Sequence, residues 1–200
     1  CSPDVFKPLI DNSLPCPHRE LNTEKQIENY EKFFNGKYKD GDAIVRFKAD
    51  LNNKNPALRD FPLARLKSEA HIRLGNKYRL WPMYNFCTAI DDSLMTNYVI
   101  RGKDHEINGE RQDMIKSALN LAKCPYFHFG RMKFEDMELS KTKLSQMIEK
   151  KELSGWDDPR APTLLSYKKR GYKPIAFRNA ILSLGMSKRD SRITSADFHK

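Results

Sequence analysis

Several groups of side chains have the types and spacing to do chemistry. Cys1, Cys16 and His18 form a Cys-x14-Cys-x-His pattern. Two thiolates and an imidazole suit a tetrahedral Zn²⁺. The competing reading is a turn-rich loop that holds no metal. Asp91 and Asp92 are adjacent carboxylates, open in principle to acid–base work. Arg101 follows the short apolar run Tyr98-Val99-Ile100, so its guanidinium is expected at the C-terminal end of a strand. In open α/β sheets ligands bind at that edge. A guanidinium there can hold a carboxylate through two charged hydrogen bonds, which a carboxamide cannot match. The structural alternative pairs Arg101 with Asp104 or Glu106. Lys141 and Lys143 begin a helix in the run Leu139-Ser140-Lys141-Thr142-Lys143, and taken alone they read as solvated surface. His105 and His128 are lone histidines in mixed surroundings and read as structural or surface groups. No glycine-rich phosphate loop is present, so neither a P-loop nor a dinucleotide fingerprint is available.

The elements that must position these groups can be read from pattern. Ser2-Pro3 opens a short helix, with Pro at the first helical position. Thr23 and Gln26 form a capping-box pattern before a helix with Ile27, Tyr30, Phe33 and Phe34 on one face. Residues 42–50 and 61–66 have strand chemistry, so 1–79 reads as a small α+β unit. From Tyr78 strands and helices alternate: a strand over 78–83, a helix over 85–95, a strand over 98–100, a helix over 107–122, and one strand over 126–134. This alternation predicts βαβ units and a parallel sheet. Helices follow over 144–151, 162–170 and 174–184, and a polar, basic tail runs from Ser187 to Lys200.

Composition sets outer bounds. The 200 residues are 39% hydrophobic and 31% charged, enough for one large or two small domains with real cores. No stretch reaches the roughly 18 consecutive apolar residues of a membrane span. The start, Cys1-Ser2-Pro3-Asp4, lacks a Met and a signal pattern and reads like a chain that begins mid-protein. Four widely spaced cysteines form no disulfide framework and suggest a reducing, cytoplasmic setting, with Cys87 and Cys124 as buried small hydrophobes. The net charge of +10 is unevenly spread. Residues 44–79 hold nine Lys or Arg against three Asp or Glu, and residues 157–200 hold ten against four. Residues 80–156 hold eleven of each. Two basic zones around a neutral centre suit a polyanion such as nucleic acid.

Four segments, in order, carry a family resemblance. The first joins Val45-Arg46-Phe47-Lys48-Ala49-Asp50 to Lys54-Asn55-Pro56-Ala57-Leu58-Arg59-Asp60. The second comprises Trp81-Pro82-Met83-Tyr84-Asn85-Phe86, Asp91-Asp92 and Val99-Ile100-Arg101-Gly102-Lys103-Asp104-His105. The third is Gly130-Arg131-Met132-Lys133 with Leu139-Ser140-Lys141-Thr142-Lys143. The fourth is Gly155-Trp156-Asp157-Asp158-Pro159-Arg160 with Pro162-Thr163 and Lys169-Arg170-Gly171. Together they resemble an archaeal-type glutamyl-tRNA synthetase, a class I enzyme, over nearly the whole chain. The Gly-Trp-Asp-Asp-Pro-Arg run is shared with glutaminyl-tRNA synthetases of archaeal and eukaryotic type.

The resemblance implies an α/β fold, the second half of a Rossmann-like catalytic domain with an α+β acceptor-binding insert and a helical stem-contact region. Residues 1–79 match most of that insert, 80–143 the second catalytic half, and 144–200 the helical region. The first catalytic half, with its His-Ile-Gly-His signature, and the anticodon-binding β-barrels have no counterpart here. The 200-residue chain alone is therefore expected not to activate glutamate.

The activity implied is activation of glutamate by ATP with Mg²⁺, then transfer to the 3′ end of tRNA-Glu, with tRNA-Gln left open as a second acceptor. A monomer is expected. Leu139 to Lys143 occupies the family's mobile Lys-Met-Ser-Lys-Ser loop, with Glu138 at its first Lys. Lys141 is the main candidate for phosphate contact and Lys143 the alternative, both as catalytic cations. Arg131, Met132, Ser140 and Lys141 match ATP-binding positions, and Tyr84 and Arg101 match amino-acid-binding ones. The basic candidates for tRNA are Arg46, Lys48, Arg59, Arg65, Lys168, Lys169 and Arg170. Relatives often carry one more Cys two residues before the position of Cys1, which would complete a four-ligand zinc site with Cys1, Cys16 and His18. Asp91 and Asp92 become structural or substrate-orienting. Two rivals remain: a glutaminyl-tRNA synthetase, against which Arg101 argues because that enzyme has an uncharged residue there, and a non-catalytic tRNA-binding module.

Overall fold

A computed structural model describes residues 1–194 and 196. It divides into two compact units, one of Cys1–Val99 with Asp104–Phe127, the other of Ile100–Lys103 with the residues from His128 onward.

The first unit begins with α1 (Pro3–Asp11) and α2 (Thr23–Phe34). Asn22 caps α2 by accepting the Lys25 N–H, and Gln26 turns away to donate to the His18 carbonyl. The capping box expected from Thr23 and Gln26 is thus replaced by an Asn cap one residue earlier, which serves the same orphan N–H groups. Only Phe33 of the expected apolar face of α2 is buried; Ile27, Tyr30 and Phe34 are exposed.

Strands β1 (Ile44–Phe47), β2 (Phe61–Leu66) and β3 (Leu80–Pro82) form one antiparallel sheet. Its core packs Ala49 and Phe61 with Ala89 of α3 (Tyr84–Met95) and Ile115 of α4 (Glu106–Ala118). The rings of Phe47 and Phe61 stack at 5.1 Å, a pairing worth about 0.5–1.5 kcal/mol beyond the area it buries. Asp60 ties the layer together: its carboxylate accepts from Arg19 at 2.5 Å and from the Ala49 N–H at 2.9 Å. In sequence, β4 (Val99–Gly102) falls between α3 and α4, and it pairs with β5 (Tyr126–Phe129).

In the second unit β6 (Met132–Phe134) pairs in parallel with β7 (Ser191–Ile193). Helices α5 (Lys141–Glu149), α6 (Leu164–Lys169) and α7 (Pro174–Leu184) follow β6 in sequence. Leu144, Leu153 and Ala161 form a small core backed by Met147 and Ile148.

The fold is mixed α/β, but one continuous parallel sheet is not what the described strands make. They form three separate small sheets, because β3 is taken up by the antiparallel edge of β2. The expected strand over 126–134 is two strands, interrupted at Gly130 and Arg131. β7 lies in the tail that read as merely polar and basic, and the tail's last residues, 197–200, lie outside the described ones. Among the described residues no helix is long and apolar enough to cross a membrane.

Candidate functional site

The first unit brings Cys1, Cys16 and His18 together. Their ligand atoms all lie within 4.8 Å of one another, and Cys1 Sγ sits 3.3 Å from His18 Nδ1. Cys16 is buried, while Cys1 and His18 are exposed. Arg19, one residue beyond His18, anchors this loop by donating to Asp60 and to the Ala49 carbonyl. Arg46 donates to Cys16 Sγ at 3.0 Å, and its guanidinium lies 4.0 Å over the Phe6 ring. Burial alone raises the Cys16 thiol, but the Arg46 hydrogen bond and charge outweigh it, so the net shift is downward, toward the thiolate a metal requires. Burial and the Arg46 charge push His18 down, which favours the neutral imidazole a metal needs. Three donors on one small loop system with two soft sulfurs fit three corners of a zinc tetrahedron. Arg46 thus has one N–H and its guanidinium face engaged on this loop, a role its sequence context did not show.

The second unit holds the lysine loop. Ser140 caps α5 by accepting the Lys143 N–H, so Lys141 and Lys143 do begin a helix. Lys143 Nζ is 2.6 Å from Glu138, which also accepts the Ser140 N–H. These two interactions hold the Glu138 carboxyl below its ordinary range. Lys141 is exposed and makes no ion pair among the described residues, leaving it the freer of the two cations. Met137 Sδ accepts from the Tyr167 hydroxyl at 3.0 Å, which fastens the preceding residues to α6. Arg131 and Met132 are exposed at the start of β6. Gly130 there has a steric reason: a Cβ would collide with the Arg189 carbonyl oxygen.

Tyr84 belongs to the first unit and Arg101 to the second. Tyr84 is the first residue of α3 rather than the end of a strand. Its ring lies 5.6 Å from that of His105, and it lines an open cleft with Arg65, Lys67, His71 and Trp81. Arg101 is half-buried, the next-to-last residue of β4, at the strand end that the sequence indicated.

The basic candidates separate into classes. Lys48, Arg65 and Lys168 are exposed. Lys169 pairs with Asp157 at 2.9 Å, and Arg170 lies about 5 Å over both the Tyr167 and Tyr172 rings. Arg59 is buried and donates to the carbonyls of Asn53, Ile10 and Asp11. It closes the C-terminal end of α1, and this inward-turned guanidinium is poorly placed to meet RNA.

In the Gly-Trp-Asp-Asp-Pro-Arg run, Asp158 is buried and accepts from Ser154 N and Oγ and from the backbone and guanidinium of Arg160. The Arg160 guanidinium and the Ser154 and Arg160 N–H groups hold its carboxyl far below the usual range. This motif folds its own turn. Cys124 is buried beside the buried Lys116, at 3.2 Å, whereas Cys87 is only half-buried.

The family profile of class I tRNA synthetases (E and Q), catalytic domain, matches residues 2–199. The chain belongs to this family. It is 43% identical over 196 residues to the glutamate–tRNA ligase of Pyrococcus furiosus, covering 97% of the chain and 34% of that protein. It is 43% identical over 195 residues to the glutamate–tRNA ligase of Methanobrevibacter smithii, covering 97% of the chain and 35% of that protein. The chain thus spans about a third of the length of these curated relatives. A solved glutamate–tRNA synthetase from Elizabethkingia anophelis shares the fold, with a TM-score of 0.50 at 18% identity over 86% of this chain and 40% of that one.

Proposed function

We propose that this chain is part of the catalytic domain of a glutamate–tRNA ligase. The protein activates glutamate with ATP and Mg²⁺ and transfers it to the 3′ end of tRNA-Glu, with tRNA-Gln as a second acceptor to be tested. What carries the reading is 43% identity to glutamate–tRNA ligases across 97% of the chain, with an arginine at position 101. Residues 1–79 act as the acceptor-binding insert, 80–143 as the second half of a Rossmann-like catalytic domain, and 144–200 as the stem-contact region. Arg131, Met132 and Ser140 bind ATP, and Lys141 stabilises its reacting phosphate, with Lys143 released from Glu138 as the alternative. Positioned cations of this kind lower the barrier by meeting charge as it develops. Arg101 binds the glutamate side chain, and Tyr84 is carried separately as an amino-acid-binding candidate of the first unit. Arg65 and Lys48, with the cluster Lys168, Lys169 and Arg170, contact tRNA phosphates. The protein works as a cytoplasmic monomer. Its test is charging of tRNA by the intact protein, with glutamate and glutamine offered separately: glutamyl-tRNA supports the proposal, and exclusive formation of glutaminyl-tRNA favours the rival enzyme.

Zinc at Cys1, Cys16 and His18 is part of the same proposal, as a structural clamp on the insert. Elemental analysis of the intact protein from zinc-replete cells should find one zinc per chain. Cys16→Ser should lose it and lower the melting temperature. Metal-free protein of unchanged stability would sink the assignment.

A further inference from the structure

The tail after α7 returns to the edge that carries Arg131 and Met132. The Gly130 N–H donates to the Ser187 carbonyl at 2.8 Å, and the Ser191 N–H donates to the Arg131 carbonyl at 3.0 Å. β7 then runs parallel to β6, with Met132 opposite Ser191. The Asp190 carboxylate accepts the Arg131 N–H at 2.9 Å and pairs with Lys103 at 2.7 Å and with Lys133 at 3.6 Å. Arg192 pairs with Glu135 at 3.2 Å. The two segments approach so closely that a Cβ on Gly130 would run into the Arg189 carbonyl group and lie 2.8 Å from the Asp190 nitrogen.

We propose that residues 187–193 are a strap that fixes the Arg131–Met132 edge, and that Asp190 is the positioning residue that latches it for nucleotide binding. The inference rests on the reading of Arg131 and Met132 as ATP-binding. Three features distinguish this from a chance surface contact. A single carboxylate gathers one backbone N–H and two ammonium groups from two segments far apart in the sequence, Arg131–Lys133 and Lys103. The parallel pairing flanks it on the C-terminal side. The opposing segment has no side chain where the strap crosses. Lys103 also stands two residues beyond Arg101, so the same latch joins the segment after the amino-acid candidate to the nucleotide edge. A charge-assisted bond to a backbone N–H sets the direction of the peptide plane it holds. A reacting group displaced by about 1 Å through such a loss can cost up to roughly a hundredfold in rate.

The experiment is glutamate- and tRNA-dependent ATP–pyrophosphate exchange by the intact protein. Asp190→Ala should raise the KM for ATP roughly tenfold, with a smaller effect on kcat. Asp190→Asn keeps an acceptor for the Arg131 N–H and should recover most of that change. Should Asp190→Ala not fold, Gly130→Ala is the second variant, because it displaces the strap with Asp190 intact; the same rise in KM is expected. Amide hydrogen exchange separates the strap from the nucleotide reading. Faster exchange at Arg131 and Ser191 in Asp190→Ala supports the strap, and unchanged exchange overturns it. Faster exchange with an unchanged KM for ATP overturns the positioning role. If Arg131→Ala also leaves that KM unchanged, the ATP assignment of the edge is what has failed.

Discussion

Arg101→Ala in the intact protein should cut kcat/KM for glutamate by roughly 30- to several-thousand-fold, the equivalent of about 2–5 kcal/mol for removing one member of a desolvated charge pair. Charge decides here more than shape does. Glutamate and glutamine have nearly equal size, so a pocket wall cannot separate them, whereas a fixed guanidinium offers two parallel donors to a carboxylate. Arg101 is half-buried near the C-terminal end of β4. A half-buried guanidinium is partly desolvated and keeps more of its electrostatic strength than one in open water. Glutamine lacks the charge and should lose much less. The measurement is the pair of kcat/KM values for each amino acid in wild type and variant. An equal loss for both would make Arg101 a brace of its own segment.

Arg59→Ala should lower stability by about 2–4 kcal/mol while leaving RNA affinity untouched in its salt dependence. Arg59 is 8% exposed, and its guanidinium satisfies three carbonyls, two of them at the end of α1. Its loss orphans those acceptors and unpins α1 from the loop before β2. Lys168, Lys169 and Arg170 make the contrast. Neutralising these exposed groups should leave the fold intact and flatten the slope of log affinity against log salt, by roughly one unit for each RNA phosphate that the variant no longer neutralises. Thermal melts and salt titrations of both variants decide the matter. A changed slope in Arg59→Ala returns that residue to the RNA surface, and an unchanged slope in the triple variant makes the cluster plain solvated surface.

Much of the secondary structure was legible because its signals are local. Ser2-Pro3 starts α1 and Lys173-Pro174 starts α7, which ends at Gly185 with φ of +65°, a conformation glycine adopts freely. The strand and helix patterns from 78 to 118 are found with shifts of a few residues at their ends. What was not legible is non-local. Nothing in Ser187-Lys188-Arg189-Asp190 announces that this run lies against Gly130, and the short strand it feeds, β7, is three residues long. Sheet membership failed for the same reason: Leu80-Trp81-Pro82 reads as a strand, but its partner is set by the return of β2. Of the candidate site, the Cys-x14-Cys-x-His spacing did bring its three donors together, since Arg19 and Arg46 fold the loop over them. Burial divides the basic residues where charge counting cannot, because Arg59 and Lys168 weigh the same in a sum. The roles proposed for Lys141, Arg131 and Tyr84 rest on family resemblance alone; periodicity reads them as surface.

The most direct test of the central claim is tRNA charging by the intact protein with radiolabelled amino acids. Glutamate, ATP, Mg²⁺ and tRNA-Glu together should yield glutamyl-tRNA, with glutamine in glutamate's place giving no product. Charging with glutamine and not glutamate, or tRNA binding with no charging of either, would contradict the account.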